Sequence, residues 1–284
     1  MLNRMFLLSA LLGAVSSLAV QPLLAQPAST PTSAVQTWEL PHGTVVKDAV
    51  PRTYRFTVDY DTANATGDVV HRQRVTGDYT RGLANGEVEW TNVGVADIDG
   101  ATAPFPAPQK QDFMQGFRYP VASPDTLKAG FFKSFPAAAV VERNLIWDTS
   151  MIESFGQNFF DRLKLNIPLH ISTNQDINMP GVGTFNSRDT VLEWVGRSER
   201  NGQVCALIEY RAFFNPLQLA AGGVTIQGRS DFWGTIWVSL ATRQIEYATI
   251  DEEVFGQMKL PGQDMPRPLS VFRTGTLEPL SRKN

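Results

Sequence analysis

The sequence predicts a mainly β protein, in which a strongly curved antiparallel sheet, or an open barrel, is wrapped around one helix. Two observations predict this fold. Apolar and polar residues alternate with a period of two in several segments, which is typical of half-buried strands. One other segment repeats its apolar residues at helical spacing, and an amphipathic helix beside such strands buries its apolar stripe against them.

The first half of the chain contains predicted strands at residues 53–60, 70–79 and 87–96. The third strand is entered through Asn85-Gly86, a pair that favours a type I′ turn. Its apolar phase changes part-way along, which predicts a β-bulge near Asn92.

The second half has the same organisation. Asn201-Gly202 separates two alternating segments, so residues 190–199 and 203–214 are predicted to form a long hairpin. The remaining predicted strands of this half are 231–240, 244–254 and 269–277.

One helix is predicted over residues 150–164. Ser150 and Glu153 have the spacing of a capping box at its start, and Pro168 prevents the helix from continuing. Its helically spaced apolar residues are predicted to belong to the core; they are Ile152, Phe155, Phe159 and Leu163.

Between the two halves, residues 104–136 are rich in proline and phenylalanine. Exposing so many rings to water is unfavourable, so the segment is predicted to be an ordered region that covers the sheet and not a flexible linker. It either fills or frames a cavity there.

The start of the chain has the pattern of an export signal. Arg4 precedes an apolar run that ends in small residues near Ala25, so residues 1–25 are predicted to be a signal peptide. Residues 26–37 are predicted to be a disordered lead-in, 38–280 a single β-rich domain and 281–284 a polar tail. A periplasmic or secreted protein without a transmembrane segment after cleavage is expected.

Composition argues against several classes of function. The net charge is -3 and the cationic residues are scattered, so nucleic acid is not expected as a partner. There is no glycine-rich phosphate loop at the start of a helix, and the three histidines are far apart, so neither a nucleotide cofactor nor a metal is predicted. The lone cysteine, Cys205, lies in an apolar run and is expected to be buried.

No catalytic residue can be assigned from a motif. The segment around Ser230 fails the nucleophile-elbow pattern and precedes a strand where the elbow needs a helix. Paired carboxylates on different strands would leave no sequence signature, so a carboxylate-dependent hydrolase acting on a glycan stays an alternative. Its candidate acids are Glu193, Glu209, Asp251 and Glu253.

The placement of aromatic residues is the most informative feature for function. Trp233 and Trp237 lie on the strand face opposite Ile236 and Val238, so neither face of that strand is simply solvated. One side either packs into the core or lines a cavity for an apolar or sugar ligand. For the second case, the candidate ligand-binding residues are Trp194, Tyr210, Trp233 and Trp237.

Residues 204–254 contain Gly228-Arg229-Ser230, then Trp-Gly-Thr-Ile-Trp at 233–237, then Ser-Leu-Ala-Thr-Arg-Gln at 239–244. In this style of long antiparallel hairpins the segment resembles the later strands of exported bacterial proteins of the lipoprotein-carrier type. The resemblance implies a curved half-barrel around a helix, with a concave apolar surface for acyl chains or another hydrophobic partner. No functional residue transfers by motif, and the carriers are shorter.

Taken together, these patterns favour an exported, noncatalytic binding or envelope-associated protein for a lipid or other hydrophobic ligand. The alternatives are the secreted hydrolase and a purely structural or assembly protein. Neither a cofactor nor a protein partner can be named from the sequence.

Overall fold

A computed structural model describes residues 38–48, 50–121, 125–128, 130–221 and 223–280. The predictions of a signal peptide (1–25), a lead-in (26–37) and a polar tail (281–284) lie outside the described residues. The division of the chain into these segments stays a prediction.

A single antiparallel sheet accounts for most of the described chain. Its strands are β1 (Arg52–Ala63), β2 (Val69–Arg81), β3 (Glu87–Asp99), β4 (Gln109–Lys110), β5 (Phe117–Pro120), β6 (Leu169–Met179), β7 (Gly183–Arg200), β8 (Gln203–Ala221), β9 (Val224–Ser239), β10 (Ile245–Lys259) and β11 (Arg267–Pro279). Their spatial order is β4-β3-β2-β1-β11-β10-β9-β8-β7-β6, with β5 also paired to β3. Pairing of β1 with β11 therefore joins the two halves of the chain into one sheet.

The predicted fold class is confirmed. Strands make up more than half of the described residues, one α-helix is present among them, and the large antiparallel sheet is open and not closed into a barrel. The alternation that predicted β1 is also confirmed, because Tyr54, Phe56, Val58 and Tyr60 are all buried.

Both predicted Asn-Gly turns have the backbone that a type I′ turn requires. The φ angles of Asn85 and Gly86 are both 69°, and those of Asn201 and Gly202 are 51° and 70°. The predicted bulge is present too, since Asn92 has a φ of 51° and lies where the pairing of β2 with β3 shifts its register. Turn and bulge chemistry therefore set the register of both halves.

Three strands were not predicted: the short β4 and β5, which lie in the proline-rich region and pair with β3, and the longer β6. The β6 sequence LHISTNQDINM is polar along most of its length and has no clear alternation. As the edge strand beside β7, it pairs on one side only, and polar residues on such an edge discourage pairing with other chains.

The predicted start of the helix is wrong. The helix, α1 (Val140–Glu153), begins ten residues before Ser150, which donates its hydroxyl proton to the carbonyl of Ile146 inside the helix and caps nothing. Beyond α1 the chain continues through a π-helical turn, Ser154–Asn158, and a 3-10 turn, Phe160–Arg162. Of the predicted core residues Ile152, Phe155 and Leu163 are buried and Phe159 is partly buried. Among the described helices, none has the length and apolarity needed to cross a membrane.

The proline-rich region packs as an aromatic layer against α1. Its rings meet edge to face: Phe117 and Phe135 have centroids 4.9 Å apart, and Phe132 lies 5.3 Å from Trp147 of the helix. The described part of residues 104–136 is therefore ordered and covers the sheet as predicted, and it fills this side of the fold with side chains.

Candidate functional site

The sheet has an inner face, against which α1 packs, and an outer face. In β9 the inward residues are Phe232, Ile236 and Val238, and Trp233 and Trp237 point outward. Gly156 of the π-helical turn packs so closely that an added Cβ would lie 3.1 Å from Ile236. The apolar groups predicted on both sides of this strand are thus present, with the inner set in the core.

The four candidate ligand-binding residues are not brought into one cavity. Trp194 and Tyr210 are both 1% exposed and lie in the core on the inner side. Trp233 lies on the outer face and is 37% exposed, and Trp237 packs beside Tyr247 there, with ring centroids 5.2 Å apart. A ligand-binding role for any of the four stays a prediction.

The four candidate acids all belong to the outer face. Glu193 and Glu209 pair across β7 and β8, and Arg211 lies 3.9 Å from Glu193. Asp251 pairs with Trp233, and Glu253 is two residues further along the same face of β10. Partial burial raises the pKa of Asp251 above its ordinary value. A catalytic role for these acids stays a prediction.

The histidines and the cysteine have ordinary surroundings. His71 lies 3.0 Å from Asp99, and His170 lies 2.9 Å from Asp189. In the part of the chain that the structure describes, no three histidine, cysteine or acidic residues are grouped so that they could hold a metal ion. Cys205 is fully buried, as predicted, and burial raises the pKa of its thiol to about 11.

A buried ion cluster joins α1 to the inner face of the sheet, and no motif had indicated it. Arg273 of β11 donates hydrogen bonds to Asp148 of α1 and to Glu252 of β10. Ser230 donates to the second oxygen of Glu252 at 2.5 Å. The side chains of the three charged residues are only 9–12% exposed. Two carboxylates thus share one guanidinium away from water.

A second buried pair fixes the other side of the helix. Arg81 of β2 lies 2.6 Å from Glu153 and 2.7 Å from Asp48, and Tyr79 donates to Glu153 at 2.8 Å. With 3.6 residues per turn, Asp148 and Glu153 point about 140° apart around the helix axis. Each carboxylate nevertheless meets an arginine of the sheet, because the sheet curls around the helix.

Protonation of Asp148 is expected to make the protein more stable as the pH falls from about 7 to about 4. Burial raises the pKa of this carboxyl from 3.8 to about 6, against the opposing effect of Arg273. The folded state therefore holds a proton that the unfolded chain releases, and the stabilisation is full below the unfolded value and lost as the pH rises through about 6. Its size is about 3 kcal/mol.

Urea unfolding measured across this pH range tests that expectation. Asp148→Asn cannot titrate, so its unfolding free energy should depend on pH less steeply than that of the wild type. Burial also raises the pKa values of Glu142 and Glu153, which remain in both proteins and add the same slope to each. Identical pH profiles for the two proteins would contradict the assignment to Asp148.

Part of the inner face lies outside the main core, and we call it the distal surface. It comprises seven apolar residues of five strands: Ile177, Leu217, Leu219, Ile226, Val254, Met258 and Leu269. Leu217 and Leu269 are buried, and the other five are partly exposed to solvent. The fold thus leaves apolar side chains in contact with water on its concave side.

Strand register makes the distal surface continuous. Leu219 pairs with Ile226, which pairs in turn with Met258. On the neighbouring row, Leu217 and Leu269 are joined through Gly228 and Gly256. Paired residues share a face of the sheet, so these side chains form one patch across β8 to β11.

Two glycines form the middle of this patch. At Gly228 an added Cβ would lie 2.0 Å from the carbonyl oxygen of Phe255, and at Gly256 one would lie 2.8 Å from that of Gln227. The backbones of β9 and β10 approach too closely there for any side chain. The distal surface is therefore bare at its centre, with apolar side chains around it.

Polar groups separate the distal surface from the helix. Asn215 and Ser230 are fully buried at this boundary, and the side-chain amide of Asn215 donates to the carbonyl of Ser230 at 3.0 Å. Beyond them lies the cluster of Arg273, Asp148 and Glu252, in which the guanidinium already binds two carboxylates. The arginine is thus committed within the fold, and what the distal surface offers a ligand is apolar area.

Comparison with known proteins gives little more than a weak likeness of fold. No protein-family model matches the chain, and no curated protein matches it. A solved structure of lipovitellin, described for its lipid–protein interactions, is similar with a TM-score of 0.38 and 11% identity over 81% of this chain. The present chain spans only 25% of that lipovitellin chain.

A second similar structure is that of a DUF1329 family protein from Desulfovibrio piger. Its TM-score is 0.16 and its identity 7%, over 81% of this chain and 87% of that one. Both similarities are weak. The resemblance to lipoprotein carriers remains a prediction from the sequence.

Proposed function

We propose that this is an exported, noncatalytic binding protein that holds a hydrophobic ligand of the lipid type against its distal surface. The observation that carries the proposal is the contiguous apolar patch left partly exposed on the concave face. Removing apolar surface of this kind from water is favourable by about 25 cal/mol per Å². Soluble proteins seldom leave such patches without a binding partner.

The shape and surroundings of the patch favour a flexible chain as the ligand. The glycine pair at 228 and 256 leaves its centre without side chains. Because Arg273 is already bound to Asp148 and Glu252, it is not free to bind an anionic head group at this boundary. An acyl chain lying along the patch with its head group toward solvent meets these conditions.

Titration with a fluorescent fatty acid, dansyl-aminoundecanoic acid, tests the site. We expect saturable binding with a blue-shifted emission, as an apolar environment requires. Ile226→Asp places a carboxylate inside the patch and should weaken binding by at least about tenfold, because burying the charge beneath the ligand is costly.

The adjacent residue of the same strand provides a matched control. Gln227 is exposed on the opposite face of β9, so Gln227→Asp introduces the same charge one position away and should leave binding unchanged. Urea unfolding of both variants establishes that each is folded. Equal affinities for the two variants, or a failure of the wild type to bind the probe, would refute a site on the distal surface.

A further inference from the structure

The outer face of the sheet contains a groove that the hydrophobic-ligand proposal does not use. This outer groove has a volume of about 340 Å³ and is lined by Glu209, Arg211, Phe213, Trp233, Gly234 and Thr235. It lies on β8 and β9, on the side of the sheet away from α1. Its residues include two large rings, one cation and one carboxylate.

The rings of the groove are held out toward solvent. Phe213 and Trp233 are 42% and 37% exposed, and their centroids lie 6.3 Å apart. Two large adjacent rings on the solvated face of a sheet form an exposed apolar patch, a feature typical of ligand-binding grooves when polar residues surround it. Trp233 thus forms one wall of the groove.

A strained bulge in β8 produces this arrangement. The register of β8 against β9 shifts between Ala212 and Asn215, and within the shift Phe214 has a φ of 59°. That left-handed conformation is unfavourable for a bulky side chain and persists where surrounding contacts enforce it. Here the carboxylate of Asp231 accepts a hydrogen bond from the backbone N–H of Phe214. Bulges of this kind commonly redirect side chains beside functional sites.

The strand beneath the groove requires a glycine. An added Cβ at Gly234 would lie 2.6 Å from the hydroxyl oxygen of Tyr210, which reaches past this position to donate to the carbonyl of Thr249 at 2.8 Å. Position 234 faces the inner side of the sheet, and its missing side chain leaves room there for the Tyr210 ring. A tyrosine of the core thus supports the groove from below.

Hydrogen-bonding groups surround the rings, and they decide the chemistry of the ligand. Glu209 is exposed, the side chain of Arg211 is 42% exposed, and Asp251 pairs with Trp233 from the other neighbouring strand. An acyl chain or an apolar protein surface would have to remove water from these charges without replacing its hydrogen bonds. A sugar ring avoids that cost, because it presents C–H groups to an aromatic face and hydroxyls to the groups around it.

We propose that the outer groove binds an oligosaccharide of pyranose units with equatorial hydroxyls, which stacks on Trp233 and donates hydrogen bonds to Glu209 and Asp251. Arg211 donates to the sugar from the side of β8. Equatorial hydroxyls leave a flat apolar face on the ring, and this is the face that an indole can stack on. The site is independent of the distal surface, since the two lie on opposite faces of the sheet.

Isothermal titration calorimetry of the full chain with cellotetraose and with chitotetraose tests the proposal. We expect saturable binding of at least one of them, weakened about tenfold or more by Trp233→Ala and largely retained in Trp233→Phe. Phe272 is also on the outer face and is equally exposed, at 37%, but lies outside the groove. Phe272→Ala should therefore bind as the wild type does.

The remaining outcomes separate this site from the hydrophobic one. Ile226→Asp should lose the fluorescent fatty acid and keep the oligosaccharide, and Trp233→Ala should do the reverse. Absence of saturable binding for both oligosaccharides would overturn the proposal. Equal losses in Trp233→Ala and Phe272→Ala would overturn it as well, and so would loss of fatty-acid binding in Trp233→Ala, which would make the groove a lipid site.

Discussion

Replacing Arg273 with alanine is expected to lower the free energy of unfolding by about 3–5 kcal/mol, because the change leaves two buried carboxylates without their shared cation. Asp148 and Glu252 are 10% and 12% exposed, so bulk water solvates their charges poorly once the guanidinium is removed. Urea unfolding followed by circular dichroism measures the loss.

An exposed arginine provides the control for this experiment. Arg118 pairs with Glu89 at 2.9 Å with half of its side chain in solvent, so Arg118→Ala should cost less than about 1 kcal/mol. Adding Asp148→Asn to Arg273→Ala should recover part of the loss, since it removes one of the two unpaired charges. A loss for Arg273→Ala as small as that for Arg118→Ala would show that the cluster is not buried in solution.

Gly228→Ala is expected to destabilise the protein by about 3 kcal/mol, since overpacking a tightly packed site has costs of this order. The added carbon would lie 2.0 Å from the carbonyl oxygen of Phe255 and 2.6 Å from the Cα atom of Gly256. Both are backbone atoms, so relief requires β9 and β10 to move apart. Thermal unfolding and urea unfolding measure the change.

The matched control for this substitution is Gly196→Ala. Gly196 is also a strand glycine, in β7, and an added Cβ there meets nothing within 4 Å. We expect this substitution to be neutral or slightly stabilising. If both variants were equally stable, the close approach of β9 to β10 at the distal surface would be wrong. If Gly228→Ala folds, it should also bind the fluorescent fatty acid less well.

The strands could be predicted because their signals are local. Alternation in β1, the turns at Asn85 and Asn201 and the bulge at Asn92 each depend on a few adjacent residues. The polar edge strand β6 lacks that signal, since only pairing with β7 makes it a strand. Local chemistry thus predicted the fold class, and pairing between distant segments supplied the rest.

The start of α1 could not be predicted for a related reason. Its N-cap is Ala139, whose side chain accepts no hydrogen bond, so the usual start signal is absent. Ser150 and Glu153 have the spacing of a capping box but lie inside the helix, where Glu153 pairs with Arg81. Glu153 thus forms an ion pair with a distant strand, although its spacing from Ser150 resembles a local signal for the start of a helix.

The candidate sites were harder to predict than the strands, because contacts between residues distant in sequence form them. Arg273 and Asp148 are 125 positions apart, and nothing near either residue indicates the other. Alternation placed Trp233 and Trp237 on one face correctly, but it could not show that Trp194 and Tyr210 lie in the core on the other. The distal surface is assembled by the strand pairings from β6 to β11, and register depends on bulges such as that at Phe214.

The central claim is that a hydrophobic molecule occupies the distal surface. Native mass spectrometry of protein purified from its own cell envelope without detergent tests it most directly. We expect an added mass corresponding to a lipid, which is present in the wild type and in Gln227→Asp and is lost in Ile226→Asp. Repeated spectra of unliganded wild-type protein, or an adduct retained in Ile226→Asp, would contradict the account.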